Sequence, residues 1–200
     1  MGDGDQWRDP QGSASGSGEP SGDSGRTPSS TRTSMVEAIR ELFPEAPTPP
    51  LSDLAMVPGR TKVTEQYQEL LTAARQEVLV FDRPPYAWAV GVPNPTQLAA
   101  ARRVSIRILY ERSQLERDGS GPWHDETAAY AAAGVVGRVV DDVSRKLVVV
   151  DRRVAMVSLV HPALPKPPYP VTVLVENEAF AVAQAEVFER LWETSAPFLP

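Results

Sequence analysis

The 200-residue chain has no cysteine, two histidines and few aromatic side chains, and each scarcity removes a class of function. Without cysteine there is neither a disulfide framework nor a thiolate metal site, and nothing points to an oxidising compartment. His124 and His161 stand far apart among turn residues, and neither reads as a nucleophile or a metal ligand. A metal site needs several converging ligands, and only carboxylates are plentiful here, so no metal and no cofactor is expected. No apolar run approaches the length that crosses a bilayer, and the segment from Met1 to Trp7 lacks the charged-then-apolar order of a signal peptide. The chain therefore reads as cytoplasmic, with no membrane partner. Positive charge is also in deficit: 20 Lys and Arg stand against 26 Asp and Glu, a net charge of -6. Such a balance repels a polyanion unless basic groups are concentrated locally, so direct nucleic-acid binding by this chain alone is not expected.

What is present divides into three parts. Residues 1–34 are mostly Gly, Ser, Asp, Thr, Pro and Arg, which cannot bury enough surface to offset the entropy of ordering, and they read as a disordered tail. Residues 35–56 hold a short helix followed by a proline-rich connector. Val36, Ile39, Leu42 and Phe43 share one helical face, Pro44 ends the helix, and Leu51, Leu54 and Met56 form an apolar patch in an extended stretch. Met35, which opens this segment, is an alternative start. Residues 57–197 form the folded domain.

Within that domain helix and strand alternate. Val63, Tyr67, Leu70, Leu71 and Ala74 recur at helical spacing over Thr61 to Arg75, and Glu77 to Phe81 is a short apolar run of the buried-strand kind. A second helix from Thr96 to Arg103 precedes a strand that places Val104, Ile106, Ile108 and Tyr110 on one face. An alanine-rich helix from Thr127 to Ala133 breaks at Gly134, and strands follow over Val135 to Val140, Lys146 to Asp151 and Val154 to Val160. A proline-rich loop leads to Val171–Val175, after which Asn177 is placed to cap a long helix from Glu178 to about Thr194. The order αβαβαβββα predicts an α/β fold, a mixed β-sheet flanked by helices.

Few residues carry candidate chemistry. Asp82-Arg83-Pro84-Pro85-Tyr86 follows a buried strand, and ligands of open α/β sheets gather outside the carboxyl ends of strands, so Arg83 and Tyr86 are candidates to line a pocket. The plainer reading is that the two prolines stiffen a turn and Tyr86 packs as a lid. Lys146 can offer its ammonium to a phosphate or carboxylate with Asp151 holding it, or the two can form a solvated salt bridge. Arg102-Arg103 and Arg152-Arg153 are the densest basic spots, an anion patch if the strand ends they flank are adjacent and solubilising turn charges otherwise.

Ser144-Arg-Lys146-Leu-Val-Val-Val-Asp151 has the frame of the phospholipase D motif His-x-Lys-x4-Asp, with serine in place of the histidine. In that chemistry the imidazole is the nucleophile, and serine without a nearby base cannot replace it. Further on, Ser158, Leu159 and His161 occupy positions where the fuller motif carries Gly, Ser and Asn. The segments Leu71 to Tyr86, Arg103 to Tyr110, Lys146 to Met156 and Phe188 to Trp192 occur in an order that resembles the phospholipase-D-like effector domain of TrmB-type and LuxR-type transcriptional regulators of actinomycetes. The resemblance covers roughly residues 57–197. It implies a non-catalytic regulatory or sensor domain that binds a small-molecule effector, or that acts through a homodimer or a regulator partner chain. Such regulators also carry a helix-turn-helix, which this chain is expected to lack. The alternatives are a phosphodiesterase of the phospholipase D superfamily, which Ser144 disfavours, and a stand-alone DNA-binding regulator, for which the single short helix of residues 35–56 is too little.

Overall fold

The computed structural model describes residues 28–83, 103–113, 122–143, 145–159 and 171–198. Its elements are α1 (Pro28–Leu42), β1 (Leu54–Val57), α2 (Gly59–Ala73), β2 (Glu77–Asp82), β3 (Ser105–Glu111), α3 (Pro122–Ala132), β4 (Val136–Val140), β5 (Lys146–Val150), β6 (Val154–Leu159), β7 (Val171–Val175), α4 (Glu178–Thr194) and β8 (Ala196–Pro197). Eight strands form one sheet in the order β1-β7-β6-β5-β2-β3-β4-β8. The centre, β2-β3-β4, is parallel, while β5 to β7 and the two edge strands run antiparallel to their neighbours. The α/β mixed sheet expected from the element order is thus the fold observed.

Why these segments are strands follows from burial on both faces. β2, β5 and β7 are near-continuous runs of valine and leucine, the composition of strands covered by helices on each side. Alternation then divides their side chains between two cores. Leu79, Phe81, Leu109, Leu147 and Val149 pack with Ile39 of α1, with Phe43 just after it, and with Phe180, Ala185 and Phe188 of α4. Val78, Val80, Ile106, Ile108, Tyr110, Val148 and Val150 pack with Leu70 and Leu71 of α2 on the other face. The expected face of β3, Val104 through Tyr110, lies wholly in this second core.

Helix ends follow local chemistry. Asn177 Oδ1 accepts the Phe180 N–H at 3.0 Å and caps α4. α3 begins at Pro122, a favoured first helical residue, five positions before the expected Thr127. It stops at Gly134, whose φ of 92° lets the Val135 N–H reach Tyr130 O and the Gly134 N–H reach Ala131 O.

Two expectations on the N-terminal side are corrected. The helix assigned to residues 35–43 starts at Pro28, inside the stretch read as tail, and residues 1–27 lie outside the described residues. Residues 35–56 are also more than a connector. Met35, Ala38, Ile39 and Phe43 are almost fully buried in the first core, with Phe43 edge-on to Phe180 at 5.3 Å, and β1 pairs with β7 from Leu54↔Val175 to Val57↔Thr172. An apolar face with a sheet edge beside it is more stable docked than exposed. The helix expected over Thr96–Arg103 and the loop over Pro162–Pro170 lie outside the described residues, save Arg103, which sits in a turn. No described helix is long and apolar enough to cross a membrane.

Candidate functional site

Lys146 opens β5, and the antiparallel register Phe81↔Leu147 sets it beside the carboxyl end of β2. Alternation along β5 turns Lys146 to the α2 face with Val148 and Val150. Its Nζ donates to the Arg83 carbonyl at 2.6 Å and lies 3.5 Å from Asp82 Oδ1, with 25 % of the side chain exposed. Burial holds the Lys146 pKa below its ordinary value; the Asp82 carboxylate opposes that shift and the Arg83 charge adds to it. Arg83 Nη1 donates to Val143 O, in the segment that leads into β5, at 2.7 Å. Two cations and one carboxylate therefore converge where β2 ends and β5 begins.

The parallel strands β3 and β4 end at the same pole, and they add further polar groups. Glu111, the last residue of β3, accepts a hydrogen bond from the Ser113 hydroxyl through Oε1, while its Oε2 is buried without a hydrogen-bond partner among the described residues. Arg112 Nε donates to Asp141 at 2.8 Å beyond the end of β4. This is the carboxyl edge at which open α/β sheets gather ligands. Among the described residues no group of three or more His, Asp or Glu side chains is placed to hold a metal.

Of the four residues singled out as ligand-binding, the structure brings Arg83 and Lys146 together. Tyr86 lies outside the described residues, as does Ser144. Asp151 is at the far end of β5, about 16 Å from Lys146 at the rise of an extended strand, so the expected pairing of Lys146 with Asp151 is corrected. Asp151 instead accepts the backbone N–H groups of Arg75, Gln76 and Glu77 at 2.9, 2.8 and 3.0 Å. It holds the entry to β2 against the β5–β6 turn. The partner of Lys146 is Asp82, marked in the sequence only as the acid that ends a buried run.

Of the two readings of the arginine pairs, the structure supports neither a free anion patch nor a solvated turn charge at Arg152, because its charge is matched by carboxylates. Arg152 donates to Glu77 Oε1 at 2.5 Å and Glu189 Oε1 at 2.7 Å, and Arg107 bonds the same two carboxylates from 2.7 to 3.0 Å. Hydrogen bonding from Arg107, ahead of its charge, holds the Glu189 pKa below its ordinary value. Arg107 also lies over Phe188 and Trp192, each 5.4 Å away. Arg103 and Arg153 are exposed, and Arg102 lies outside the described residues. A third polar group escaped the sequence altogether: Gln184, fully buried on α4, donates to Glu45 at 2.9 Å, and Arg145 bonds Glu45 while its guanidinium covers Phe43 at 4.9 Å. A polar residue among alanines on a helix face was its one signal.

No protein-family model and no curated protein matches the chain. Solved structures do. TrmBL2, an archaeal chromatin protein with a novel mode of DNA binding, aligns over 84 % of this chain with a TM-score of 0.59 and 21 % identity, and the chain spans 61 % of its length. Nuc, a phospholipase D family member from Salmonella typhimurium, aligns over 74 % of this chain and 97 % of its own at 14 % identity and a TM-score of 0.51. NucT from Helicobacter pylori aligns over 72 % and 97 % at 9 % identity, also with a TM-score of 0.51. At such identities the likeness is one of fold. Mixed sheet, flanking helices and these neighbours together give the chain a phospholipase-D-like fold, shared with TrmBL2.

Proposed function

We propose that the chain is a non-catalytic, cytoplasmic regulatory domain that binds a small anionic metabolite at Lys146 and Arg83 and passes the signal to a second chain, another copy of itself or a regulator. The observation that carries this reading is the nearness of two cations at the carboxyl end of β2: Lys146, a quarter of its side chain exposed, beside Asp82 and the Arg83 carbonyl, and Arg83 against Val143 O. A phosphate or carboxylate placed there gains charge-assisted hydrogen bonds in a medium less polar than water. Ser144 supports binding without turnover, since the nucleophilic imidazole of phospholipase D chemistry has no counterpart at that position. The resemblance to TrmB-type and LuxR-type effector domains points the same way.

The fold shared with Nuc and NucT favours one alternative, phosphodiester hydrolysis. TrmBL2 suggests another, DNA binding, but here Arg107 and Arg152 are neutralised by Glu77 and Glu189, and the net charge is -6. A thermal-shift panel of inorganic phosphate, sugar phosphates, nucleotides and small carboxylates tests the proposal, because ligand that binds the native state raises its melting temperature by mass action. A dose-dependent rise for one class, lost in Lys146→Ala and in Arg83→Ala, is the expected result. A rise that survives both substitutions rejects the site.

A further inference from the structure

The chain meets nearly all its need for positive charge with arginine: of 20 Lys and Arg residues only three, Lys62, Lys146 and Lys166, are lysines. For an ion pair arginine serves as well or better, with five donors and a charge it does not lose. Lysine differs in that its amine can give up a proton and become a nucleophile. Lys62 makes an ordinary surface pair, 2.6 Å from Glu65 on α2, and the Glu65 hydrogen bond holds its pKa above the usual value. Lys166 lies outside the described residues. Lys146 is set differently. Its Nζ donates to the Arg83 carbonyl at 2.6 Å, which orients it, and Asp82 Oδ1 stands 3.5 Å away, a small movement from taking a proton. Burial pulls the Lys146 pKa down, Asp82 opposes this, and the Arg83 guanidinium is close enough for its charge to add to it. Desolvation and a neighbouring cation are the two means by which a lysine amine is made nucleophilic near neutral pH.

We propose that Lys146 captures a small carbonyl compound bearing a carboxylate or phosphate as a reversible Schiff base, with Asp82 as the proton carrier and Arg83 as the partner of the anionic group. This rests on the anion site proposed above and names the class of its ligand. A quarter of the Lys146 side chain is exposed, the opening through which a small molecule would reach it. The Lys146 ammonium passes a proton to Asp82, the amine adds to the carbonyl carbon, and a proton moves from nitrogen to the oxygen of the adduct. Asp82 then returns its proton to that hydroxyl, which leaves as water while the nitrogen lone pair closes the C=N bond. One C=N bond replaces one C=O bond, the positive charge stays on nitrogen, Asp82 ends as the carboxylate it began as, and nothing is oxidised or reduced. Water reverses the step, so capture prolongs the ligand's residence without turnover. Arginine at position 146 could hold the anion but could not make this bond.

The test incubates the folded full chain at neutral pH with pyruvate, glyceraldehyde 3-phosphate or lactate, with cyanoborohydride present, and locates adducts by peptide mass spectrometry. The reductant converts an imine to a stable secondary amine and so marks the lysine that formed it. Expected is saturable labelling of Lys146 by at least one of the two carbonyl compounds, at least about tenfold faster than labelling of Lys62, and none by lactate, which has no carbonyl. Whichever compound labels identifies carboxylate or phosphate as the anion. Lys146→Arg keeps the charge and loses the label, Asp82→Asn slows labelling, and Arg83→Gln raises the concentration needed for half-maximal labelling. Absence of label at Lys146, or equal rates at Lys146 and Lys62, overturns the proposal. Melting temperatures separate its failure from that of the anion site: a rise with lactate that needs Arg83, without any label from the carbonyl compounds, overturns the covalent step alone, and no rise and no label with any of the three overturns both.

Discussion

At the scale of the residue, the Lys-x4-Asp frame separates two jobs that its spacing suggests are one. Lys146 sits beside the carboxyl end of β2 and Asp151 at the opposite end of the same strand, where it organises three backbone N–H groups. Asp151 and Arg152 both hold positive φ, at 51° and 54°, a conformation L-residues adopt at a cost that the Asp151 hydrogen bonds and the Arg152 ion pairs offset. Asp151→Ala should lower stability by about 2 to 3 kcal/mol, since charge-assisted bonds to three donors are lost. Urea unfolding measures it, and a loss under about 0.5 kcal/mol would remove the anchoring role. Lys146 has a signature of its own. Its folded pKa is below the ordinary 10.5, so in the window between the two values the unfolded chain binds more protons than the native one and stability rises with pH. Urea midpoints taken from neutral pH up to that value should climb more steeply for the parent than for Lys146→Met. Parallel slopes would mean that Lys146 is not desolvated.

At the scale of the element, the helices and strands were legible where burial imposes a period. β2, β3, β5, β6 and β7 fall within a residue or so of their expected bounds because apolar runs bounded by turn residues leave little choice. β1 and β8 were not legible: each is short and proline-flanked, and its strand character comes from the neighbour it pairs with, β7 for one and β4 for the other. The same holds for the partners in the candidate site. That Arg83 and Lys146 are neighbours, that Asp82 is the counter-ion and that Arg107 pairs with Glu189 all depend on register and helix docking, which no local pattern encodes. The cap of α4 shows the mixture. Asn177 was readable as an N-cap, yet its Nδ2 also donates to Asp53 Oδ2 at 2.7 Å and ties α4 to the turn before β1. Asn177→Ala should therefore cost about 1 kcal/mol for the cap and somewhat more for the lost tie. Asn177→Asp should fail to restore stability, because it keeps the cap oxygen but sets a second carboxylate against Asp53. Full restoration by aspartate, in a thermal melt, would show that capping is the whole of its role.

At the scale of the molecule, the phospholipase-D-like sheet gathers polar groups at the carboxyl pole of its parallel strands while the opposite pole is closed by the Arg107, Arg152, Glu77 and Glu189 network. Arg107 and Arg152 are matched by Glu77 and Glu189 at one pole, and Lys146 and Arg112 by Asp82 and Asp141 at the other. α1 is bound to the same framework, since Arg145, one residue before Lys146, holds Glu45 just beyond the end of that helix. Under the proposed function, a ligand at Lys146 would act next to this joint between α1 and the sheet. Binding and the absence of turnover are both tested by ³¹P NMR of a phosphodiester and a sugar phosphate titrated with the protein. At least one phosphorus resonance should broaden and shift with the parent chain but not with Lys146→Ala, and no product resonance should appear on prolonged incubation. A growing product signal, or unperturbed spectra with both proteins, would contradict the proposed function.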